Sequence, residues 1–433
     1  MYTYFGILTI GEMRMNAKRL SLIVLVAVAV LAMSATFVQA QGAKIIKIAS
    51  QSPLSGGQSV DGTGLRNGAE LAIDQLSGPL TAMGFQIQFV PYDDKADPDT
   101  GVANAQQIVA DPAILGVIGH FNSSVAIPSS VVYDANDLVM VSPANTNPQV
   151  TDRGLKTVNR VCGRDDAQGA VGAQMAASLG IKSVYILNDT TTYGAGVAAY
   201  FRDSATALGI NVLGFEGTTE TSNFDGIIQP ILALNPDAVY MGGIYDQMGV
   251  FANQLVAAGY TGQLLGPDGL DAPDYAKLAG QAAVGTYYSS AAGPASAYPG
   301  TAQFVKDYMA KYSTAPTPYA AEAYDATGIV LAAIAEAATA DNGAIPTRAE
   351  VAADVRATQN YQGLTGSISF DANGDRTEAN YFVLKVLSAD PTQWGNNTII
   401  KEIQIPSPLT AAAMATATAT MEMPMTPEAT AGS

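Results

Sequence analysis

Short apolar runs alternate with amphipathic segments along most of this chain. The β-branched run KIIKIAS is followed by a polar Gly/Ser-rich stretch and then by LRNGAELAIDQL, whose apolar residues recur at helical spacing. Similar strand-like runs follow, most of them separated by helix-like segments: FQIQFVPYD, ILGVIGH, LVMVSPA, SVYILND, INVLGFE, DAVYMGG and QLLGPDG. Such alternation is typical of βαβ units, so the pattern predicts an α/β protein with doubly wound parallel sheets.

The alternation is interrupted between Val161 and Asp166, which predicts two sheets, and hence two lobes, instead of one long sheet. Further along, GSISFDANGDRTEANYFVLKVL predicts a hairpin with Asn373-Gly374 as its turn. The tail from Pro406 to Ser433 is rich in Ala, Thr, Met and Pro and has no Lys, Arg or aromatic residue. Because such a composition cannot build a core, we expect the tail to be disordered.

The N-terminal segment has the order of a secretory signal peptide. A basic stretch at Met15–Arg19 precedes an apolar run at Leu20–Met33, and Val38-Gln39-Ala40 then offers a small-x-Ala cleavage site. We expect residues 1–40 to be an extension plus a signal peptide that is cleaved after Ala40, with Met15 as the start. An uncleaved anchor helix is the alternative. The predicted location is the periplasm or the extracellular space.

Composition narrows the class of partner. The formal net charge of −17 over 433 residues disfavours nucleic acid and anionic membrane surfaces, because both select clustered Lys and Arg. Hydrophobic residues make up 48% of the chain, enough for a substantial core. Cys162 is the one cysteine, so the sequence predicts no intramolecular disulfide, and we interpret Cys162 as a small buried residue.

A glycine pattern raises the question of a nucleotide cofactor. DGTGLRNG (Asp61–Gly68) loosely matches a dinucleotide fingerprint, and Asp93 or Asp94 ends the next strand. The fingerprint needs a tight turn directly after the strand, whereas here about a dozen residues intervene. We therefore interpret this stretch as a flexible loop that leads into a helix, and we expect no cofactor.

The single histidine suggests hydrolytic chemistry at first sight. His120 lies three and four residues before Ser123 and Ser124, but no Gly-x-Ser-x-Gly elbow surrounds these serines and the base comes before them. One histidine without a second imidazole is also a poor metal site. The sequence therefore predicts no catalytic residue and no metal site, and we expect the protein not to be an enzyme.

Polar residues in GHFNSSVAIPSSVVYD stand at the start of a helix that directly follows a strand. Asn122, Ser123 or Ser124 can cap this helix, and its free N–H groups and dipole favour a carboxylate or a phosphate. The serine hydroxyl would then donate a hydrogen bond and would not act as a nucleophile. On this segment alone, a simple helix cap is the alternative interpretation.

Four other loops follow predicted strands and carry polar or aromatic groups. Ligands of open α/β sheets bind outside the carboxyl ends of the strands, so these loops and the Ser123 segment could converge in one cleft. The groups they offer are the carbonyl of Ala144, the hydroxyl of Thr146, and the side chains of Tyr193, Tyr245 and Asp268.

The ordered set of these segments resembles the periplasmic amino-acid-binding proteins of ABC importers, of the leucine/isoleucine/valine-binding type. The resemblance extends from about Lys44 to Ile405. It is carried by SPLSGGQSVDGTGLRNGAELAID, YDDKADP, GHFNSSVAIPSSVVYDANDLVMVSPANTNPQVTDRG, NDTTTYGAG, GGIYDQMGVFANQLVAAG and GPDGL. It implies the type I periplasmic-binding-protein fold: two doubly wound α/β lobes, joined by three crossover hinges, that close over a ligand.

The resemblance also implies how the chain is divided. Residues 44–160 and 288–383 would form the first lobe, and residues 161–287 and 384–405 the second, followed by a disordered tail at 406–433. The three crossovers would fall near Val161, near Tyr287 and between Phe382 and Leu387.

Several binding roles follow from the resemblance. Ser123 and Thr146 would hold the α-carboxylate of an amino acid, the carbonyl of Ala144 and the carboxylate of Asp268 would hold its ammonium, and Tyr193 would close over the ligand. The sequence departs from the family pattern near the ligand side chain. Asp61 stands where the family has an aromatic residue, and Ile244 occupies a second aromatic position, with Tyr245 displaced by one.

An acidic Asp61 would suit a polar or cationic side chain better than leucine. We nevertheless include both Asp61 and Tyr245 among the expected ligand-binding residues. A cysteine pair found in some members is absent, because Ala96 and Asn122 occupy the two positions.

The resemblance implies a monomeric solute-binding protein that captures an amino acid, branched-chain or a polar relative, and delivers it to an ABC permease in the membrane. A component of a urea or short-amide transporter is one alternative. A ligand-sensing receptor module of the same fold is the other.

Overall fold

The computed structural model describes residues 44–421, with side chains through Met414. The predicted signal peptide, its cleavage site and the last residues of the tail lie outside the described residues. Alternation of buried apolar strands with amphipathic helices continues through most of the described chain, as the sequence predicts.

The strands in chain order are β1 (Lys44–Ser52), β2 (Phe85–Asp93), β3 (Ile114–Gly119), β4 (Val139–Ser142), β5 (Val158–Arg160), β6 (Ser183–Asn188), β7 (Asn211–Gly217), β8 (Ala238–Gly242), β9 (Gln263–Gly266), β10 (Tyr287–Ser290), β11 (Tyr361–Gly363), β12 (Gly366–Ile368), β13 (Glu378–Lys385) and β14 (Thr398–Pro406). The α-helices are α1 (Ser59–Leu76), α2 (Gly78–Ala82), α3 (Pro98–Ala110), α4 (Ser123–Asp134), α5 (Gln149–Asp152), α6 (Asp165–Ser178), α7 (Thr192–Ala207), α8 (Asp225–Leu234), α9 (Tyr245–Ala257), α10 (Pro273–Ala279), α11 (Ala302–Tyr312), α12 (Ala320–Ala340), α13 (Arg348–Arg356) and α14 (Pro408–Met421). Short 3-10 turns lie at Asp268–Leu270, Gly280–Ala283, Ala295–Ala297 and Pro391–Asn396.

Two main sheets organise the molecule, and each forms the centre of one lobe. The smaller sheet has five strands in the order β2-β1-β3-β4-β5, and the larger has seven in the order β14-β13-β10-β9-β8-β6-β7. Strands β1, β3, β4 and β5 run parallel, and so do β7, β6, β8, β9 and β10. Antiparallel β13 and β14 extend the larger sheet. The predicted α/β class with two parallel-sheet lobes is confirmed.

The strand pairing corrects the predicted third crossover. Strand β13 pairs with β10 and β14 along its length, so the chain enters the larger sheet by Glu378 and not between Phe382 and Leu387. Residues 288–290 and 378–383 accordingly lie in strands of the larger sheet, although the sequence assigned them to the first lobe. The reason is that the hydrophobic pattern shows a strand but does not show which partner it pairs with. The other lobe boundaries remain predictions.

The glycine-rich stretch at 61–68 is helical, which corrects its interpretation as a loop. Helix α1 begins at Ser59, so the whole stretch lies within it. A Cβ atom on Gly62 would lie 1.9 Å from the carbonyl oxygen of Pro53, and one on Gly68 would lie 2.1 Å from that of Ala320. These glycines let α1 approach neighbouring backbone, and they do not form a phosphate-binding turn.

The C-terminal region also differs from the prediction. Residues 408–421 form helix α14, although the sequence predicted disorder from residue 406. Alanine is the strongest helix former, and its abundance here accounts for the difference. The Asn373-Gly374 turn is present, with Gly374 at φ +90° and a bridge between Phe370 and Arg376, but β12 pairs with β11 and not with β13. None of the helices between residues 44 and 421 combines the length and the apolar character that a transmembrane span requires.

Candidate functional site

The first group of candidate residues lies at the carboxyl end of β3. Ser123 is the first residue of α4 and is almost fully buried. Asn122 precedes it at the cap position but does not cap the helix, because its amide donates to Gln58 Oε1 at 2.7 Å. The α4 N-terminus therefore lacks a side-chain cap, which leaves its backbone N–H groups and dipole available to an anion.

The loop after β4 lies against this helix start. Ser123 Oγ accepts a long hydrogen bond from the backbone N–H of Asn147 at 3.4 Å. Asn145 joins the two loops, because its Oδ1 accepts from the N–H of His120 at 2.8 Å and its amide donates to the carbonyl of Phe121 at 3.0 Å. Ala144 and Thr146 are buried in the same loop. The structure thus brings Ser123, Ala144 and Thr146 together.

The hydroxyl of Thr146 and the carboxyl of Asp165 are both buried and lie close together. The backbone N–H of Asp165 donates to the carbonyl of Thr146 at 2.9 Å. Neither Thr146 Oγ1 nor the Asp165 carboxyl oxygens make a hydrogen bond of good geometry within residues 44–414. Burial raises the pKa of Asp165 well above its usual range, and the charge of Asp268 raises it further. The Thr146 hydroxyl and the Asp165 carboxyl therefore face one another, and the approach of the Thr146 hydroxyl favours the charged form of Asp165.

Arg160 binds the backbone of the loop after β4. Its guanidinium is fully buried, donates to the carbonyls of Asn145 and Asn147 at 3.0 Å each, and pairs with Asp375 at 2.5 Å. Asp375 also pairs with Arg164 at 2.7 Å, and the pKa of Asp375 is lowered, since the two guanidinium charges outweigh its burial. The backbone that carries Ala144 and Thr146 is therefore fixed by a charged network beneath it.

Asp268 is the centre of the second group and comes from the larger-sheet lobe. It follows β9 at the start of a 3-10 turn, and only 6% of its surface is exposed. Tyr193 Oη donates to Asp268 Oδ1 at 2.5 Å and accepts from the N–H of Gly269 at 2.7 Å. The Tyr319 hydroxyl donates to Asp268 Oδ2. Burial raises the pKa of Asp268 above its usual range, although the hydrogen bonds from the two tyrosines favour the charged form.

Asp61 and Tyr245 approach one another from opposite lobes. Asp61 lies in the first turn of α1, and Tyr245 is the first residue of α9. Burial raises the pKa of Asp61 well above its usual range, and the charges of Asp271 and Asp274 raise it further. The pKa of Tyr245 is raised by burial and then by the charge of Asp61. The two residues are therefore neighbours in a region of low polarity and excess negative charge.

Direct contacts join the lobes around these groups. The Asn147 amide donates to the carbonyl of Thr192 at 2.7 Å. The Gln58 amide lies 3.5 Å from Asp246 Oδ2. Together with the contact of Tyr319 with Asp268, these bonds enclose the candidate residues between the lobes.

The residues that suggested catalysis have other surroundings. His120 is fully buried, with Nδ1 3.4 Å from Asp94 Oδ2 and Nε2 3.5 Å from the hydroxyl of Tyr133. The interpretation of Cys162 as a small buried residue is confirmed, and burial raises the pKa of its thiol. No group of three or more His, Cys, Asp or Glu side chains in the described part of the chain is arranged to hold a metal ion.

Four residues of this region were not identified from the sequence. Tyr319 caps α12 in a left-handed conformation, with φ +67°, and its only sequence signal is an aromatic residue between a proline-rich stretch and a helix. Asp165 begins the helix after the first interruption of the pattern. Asn145 and Asn147 flank Thr146 in the loop after β4. Asparagine side chains in a loop often hydrogen-bond to nearby backbone, so their presence in the sequence could have indicated that they hold this loop in place.

Two parallel-sheet lobes with polar side chains gathered between them at the strand ends define a two-lobed binding protein. A family model described as periplasmic binding protein matches residues 45–391. The chain belongs to this family, whose members are exported solute-binding proteins.

Similarity to individual proteins extends over most of the chain. Leu/Ile/Val-binding protein homolog 2 of Brucella abortus is 32% identical over 342 residues, which are 78% of this chain and 90% of that protein. The leucine-, isoleucine-, valine-, threonine-, and alanine-binding protein of Pseudomonas aeruginosa is 30% identical over 335 residues, 77% of this chain and 87% of that protein. The crystal structure of a leucine-binding protein of Thermotoga maritima superposes with a TM-score of 0.74 at 30% identity, covering 83% of this chain and 98% of that one.

Proposed function

We propose that the protein captures an amino acid between its lobes and delivers it to an ABC importer, and that it performs no chemistry on the ligand. The names of its relatives support an amino-acid ligand. The observation that carries the proposal is Asp268, a buried carboxylate held by a tyrosine from each lobe. A carboxylate in this position suits a ligand ammonium, and it is separate from the anion-attracting helix start at Ser123.

In this proposal the α-carboxylate of the ligand binds at the N-terminus of α4. The hydroxyls of Ser123 and Thr146 donate to it, and the uncapped helix end adds its positive dipole. The ammonium donates to Asp268 and to the carbonyl of Ala144. Since an ammonium favours the charged form of a carboxylate, ligand binding lowers the pKa of Asp268 from its raised value. Because Ser123 and Asp268 come from different lobes, one ligand stabilises the closed arrangement.

The remaining parts of the proposal concern the setting of the protein. It acts outside the cytoplasm, in the periplasm or the extracellular space, after cleavage behind Ala40. Its partner is the permease of an importer, and it works as a monomer. His120 contacts Asp94 and Tyr133 in the core and therefore does not face the ligand, which agrees with a ligand that is released unchanged.

Calorimetry with Ser123→Ala tests the carboxylate site. The ligand panel contains leucine, isoleucine, valine, glutamine, lysine, urea and short amides. Loss of one charge-assisted hydrogen bond is worth about 1.5–3 kcal/mol, so amino-acid affinity should fall about tenfold to 150-fold. Ser124→Ala, on the adjacent and less buried serine, is the matched control and should bind nearly as the wild type.

Asp268→Ala tests the ammonium site in the same assay. We expect a larger loss than for Ser123→Ala, because the ammonium would be buried without its carboxylate. Asp203→Ala is the control, since that side chain is 66% exposed. Normal amino-acid binding by Asp268→Ala would contradict the ammonium assignment, and binding of urea or amides alone would contradict an amino-acid ligand.

A further inference from the structure

Three helix starts meet beside the proposed amino-acid site. Asp61 lies in the first turn of α1, Asn122 stands at the cap of α4, and Tyr245 begins α9. Gln58 links them, because its Oε1 accepts from Asn122 at 2.7 Å and its Nε2 lies 3.5 Å from Asp246 Oδ2. We call Asp61, Asn122 and Tyr245 the acceptor cluster. It adjoins the site directly, because Asn122 precedes Ser123 in the chain.

Each member of the acceptor cluster has an unused polar atom. The residues Asp61, Asn122 and Tyr245 are 3%, 6% and 0% exposed. Asp61 Oδ1 and Asn122 Oδ1 make no hydrogen bond of good geometry to any residue from 44 to 414, and the Tyr245 hydroxyl has only a poorly aligned approach from the backbone N–H of Asp61. Buried polar atoms are nearly always hydrogen-bonded, because leaving them unpaired is destabilising. Asn122 Oδ1 and the oxygens of an ionised Asp61 only accept hydrogen bonds, so the partner that both can share is a donor.

The charges around the cluster favour the same kind of partner. The two charged residues that raise the pKa of Asp61, after burial itself, are the carboxylates Asp271 and Asp274. Asp246 adds to the field at Tyr245. A donor group would pair the carboxylate, whereas an aliphatic side chain would bury it without a partner.

We propose that the acceptor cluster is the subsite for the ligand side chain and that it selects amino acids whose side chain ends in an N–H donor, an ammonium, guanidinium or carboxamide. This inference rests on the proposed function, since it assumes that the α-carboxylate and ammonium bind at Ser123 and Asp268. It assigns the discrimination among amino acids to Asp61 above all, because Asp61 is the acidic member and a cationic or N–H donor group would favour its ionised form.

The test compares ligands that are matched in length. Calorimetry on the mature-length protein measures lysine against norleucine, and glutamine against norvaline. In the wild type we expect the donor-bearing member of at least one pair to bind about tenfold to 150-fold more tightly, the effect of one hydrogen bond to a charged group. Equal or tighter binding of both aliphatic ligands would overturn the subsite, while leaving the proposed function intact.

Three variants locate the effect. Asp61→Leu should bring both affinity ratios to within about twofold while norleucine still binds, and Ser123→Ala should lower all affinities by a similar factor without changing the ratios. A donor preference that persists in Asp61→Leu would overturn the assignment to Asp61. In Asp61→Asn, a lost preference for lysine identifies a cationic ligand group, and a retained preference for glutamine identifies a carboxamide. Failure of the wild type to bind any of these four ligands or any amino acid of the calorimetry panel would overturn the proposed function itself.

Discussion

The substitution Glu322→Gln should change how the stability of the protein depends on pH. Glu322 lies in the first turn of α12 and is 2% exposed. Its Oε1 accepts from the hydroxyl of Tyr298 at 3.1 Å, and that hydroxyl accepts from the N–H of Gly293 at 2.8 Å. Glu322 Oε2 makes no hydrogen bond in the described chain. Burial, reinforced by the charge of Asp325, raises the pKa of Glu322 from 4.5 to about 8.

The magnitude follows from that pKa. Above pH 4.5 the unfolded chain releases the Glu322 proton, whereas the folded protein keeps it until about pH 8. The folded state then binds more protons, so its free energy of unfolding falls as the pH rises through this window. Between pH 4.5 and pH 7 the loss is about 3 kcal/mol, at about 1.4 kcal/mol for each pH unit. Glutamine does not titrate, so the variant should not show this loss.

Chemical denaturation of wild type and Glu322→Gln at pH 4, 5, 6 and 7 measures the effect. The constant contribution of the amide cancels when the two are compared across pH, and the variant should gain about 3 kcal/mol relative to the wild type between pH 4 and pH 7. Glu336→Gln, at an exposed position of the same helix, controls for the change in net charge. A difference between wild type and Glu322→Gln that stays constant over this range would refute the reasoning.

Three further predictions concern the site and its support. Tyr319→Phe removes a donor to Asp268, so amino-acid affinity should fall about tenfold by calorimetry at pH 7, and an unchanged affinity would exclude this role. Because the pKa of Asp268 is raised and a protonated carboxyl pairs poorly with an ammonium, affinity should decrease as the pH falls toward the carboxyl range, at a higher pH than for an ordinary aspartate, and much less in Asp268→Asn. Arg160→Met leaves Asp375 without its fully buried partner and should reduce the free energy of unfolding by about 3–5 kcal/mol in urea titrations, whereas a loss below about 1 kcal/mol would show that Arg164 alone suffices.

Most of the fold could be predicted from the sequence, because hydrophobic periodicity shows which face of each single helix or strand is buried. The buried run of β3 and the amphipathic run of α1 are both visible in this way. Pairing is a different kind of information. Strand β13 was expected to leave the first lobe at Phe382 to Leu387, yet it pairs with β10 and β14 from Glu378, because partner choice depends on packing between distant segments. The glycines of α1 were misread for the same reason, since only Pro53 and Ala320 show why they are needed.

Residues of the site could be predicted where a polar or aromatic side chain closely follows a predicted strand. Ser123 and Thr146 were expected together, and the structure places Ser123 at the start of α4 against the loop that carries Thr146. Tyr193 and Asp268 were likewise both expected, and they form a hydrogen bond. Tyr319 was missed because its role depends on a helix start that approaches from the other lobe, and no local pattern encodes that approach. The binding roles themselves remain proposals.

The bond between the Asn147 amide and the carbonyl of Thr192 joins the lobes. Each such bond biases the equilibrium between separated and joined lobes, and apparent affinity depends on that equilibrium as well as on contacts with the ligand. Weakening it, for example by Asn147→Ala, should accelerate ligand dissociation without altering the order of preference among amino acids. A solute-binding protein that holds its cargo too long limits the throughput of its importer. Substitutions that weaken or strengthen the bonds between the lobes should therefore change the rate of ligand release, and with it the rate of transport, without changing which amino acid is preferred.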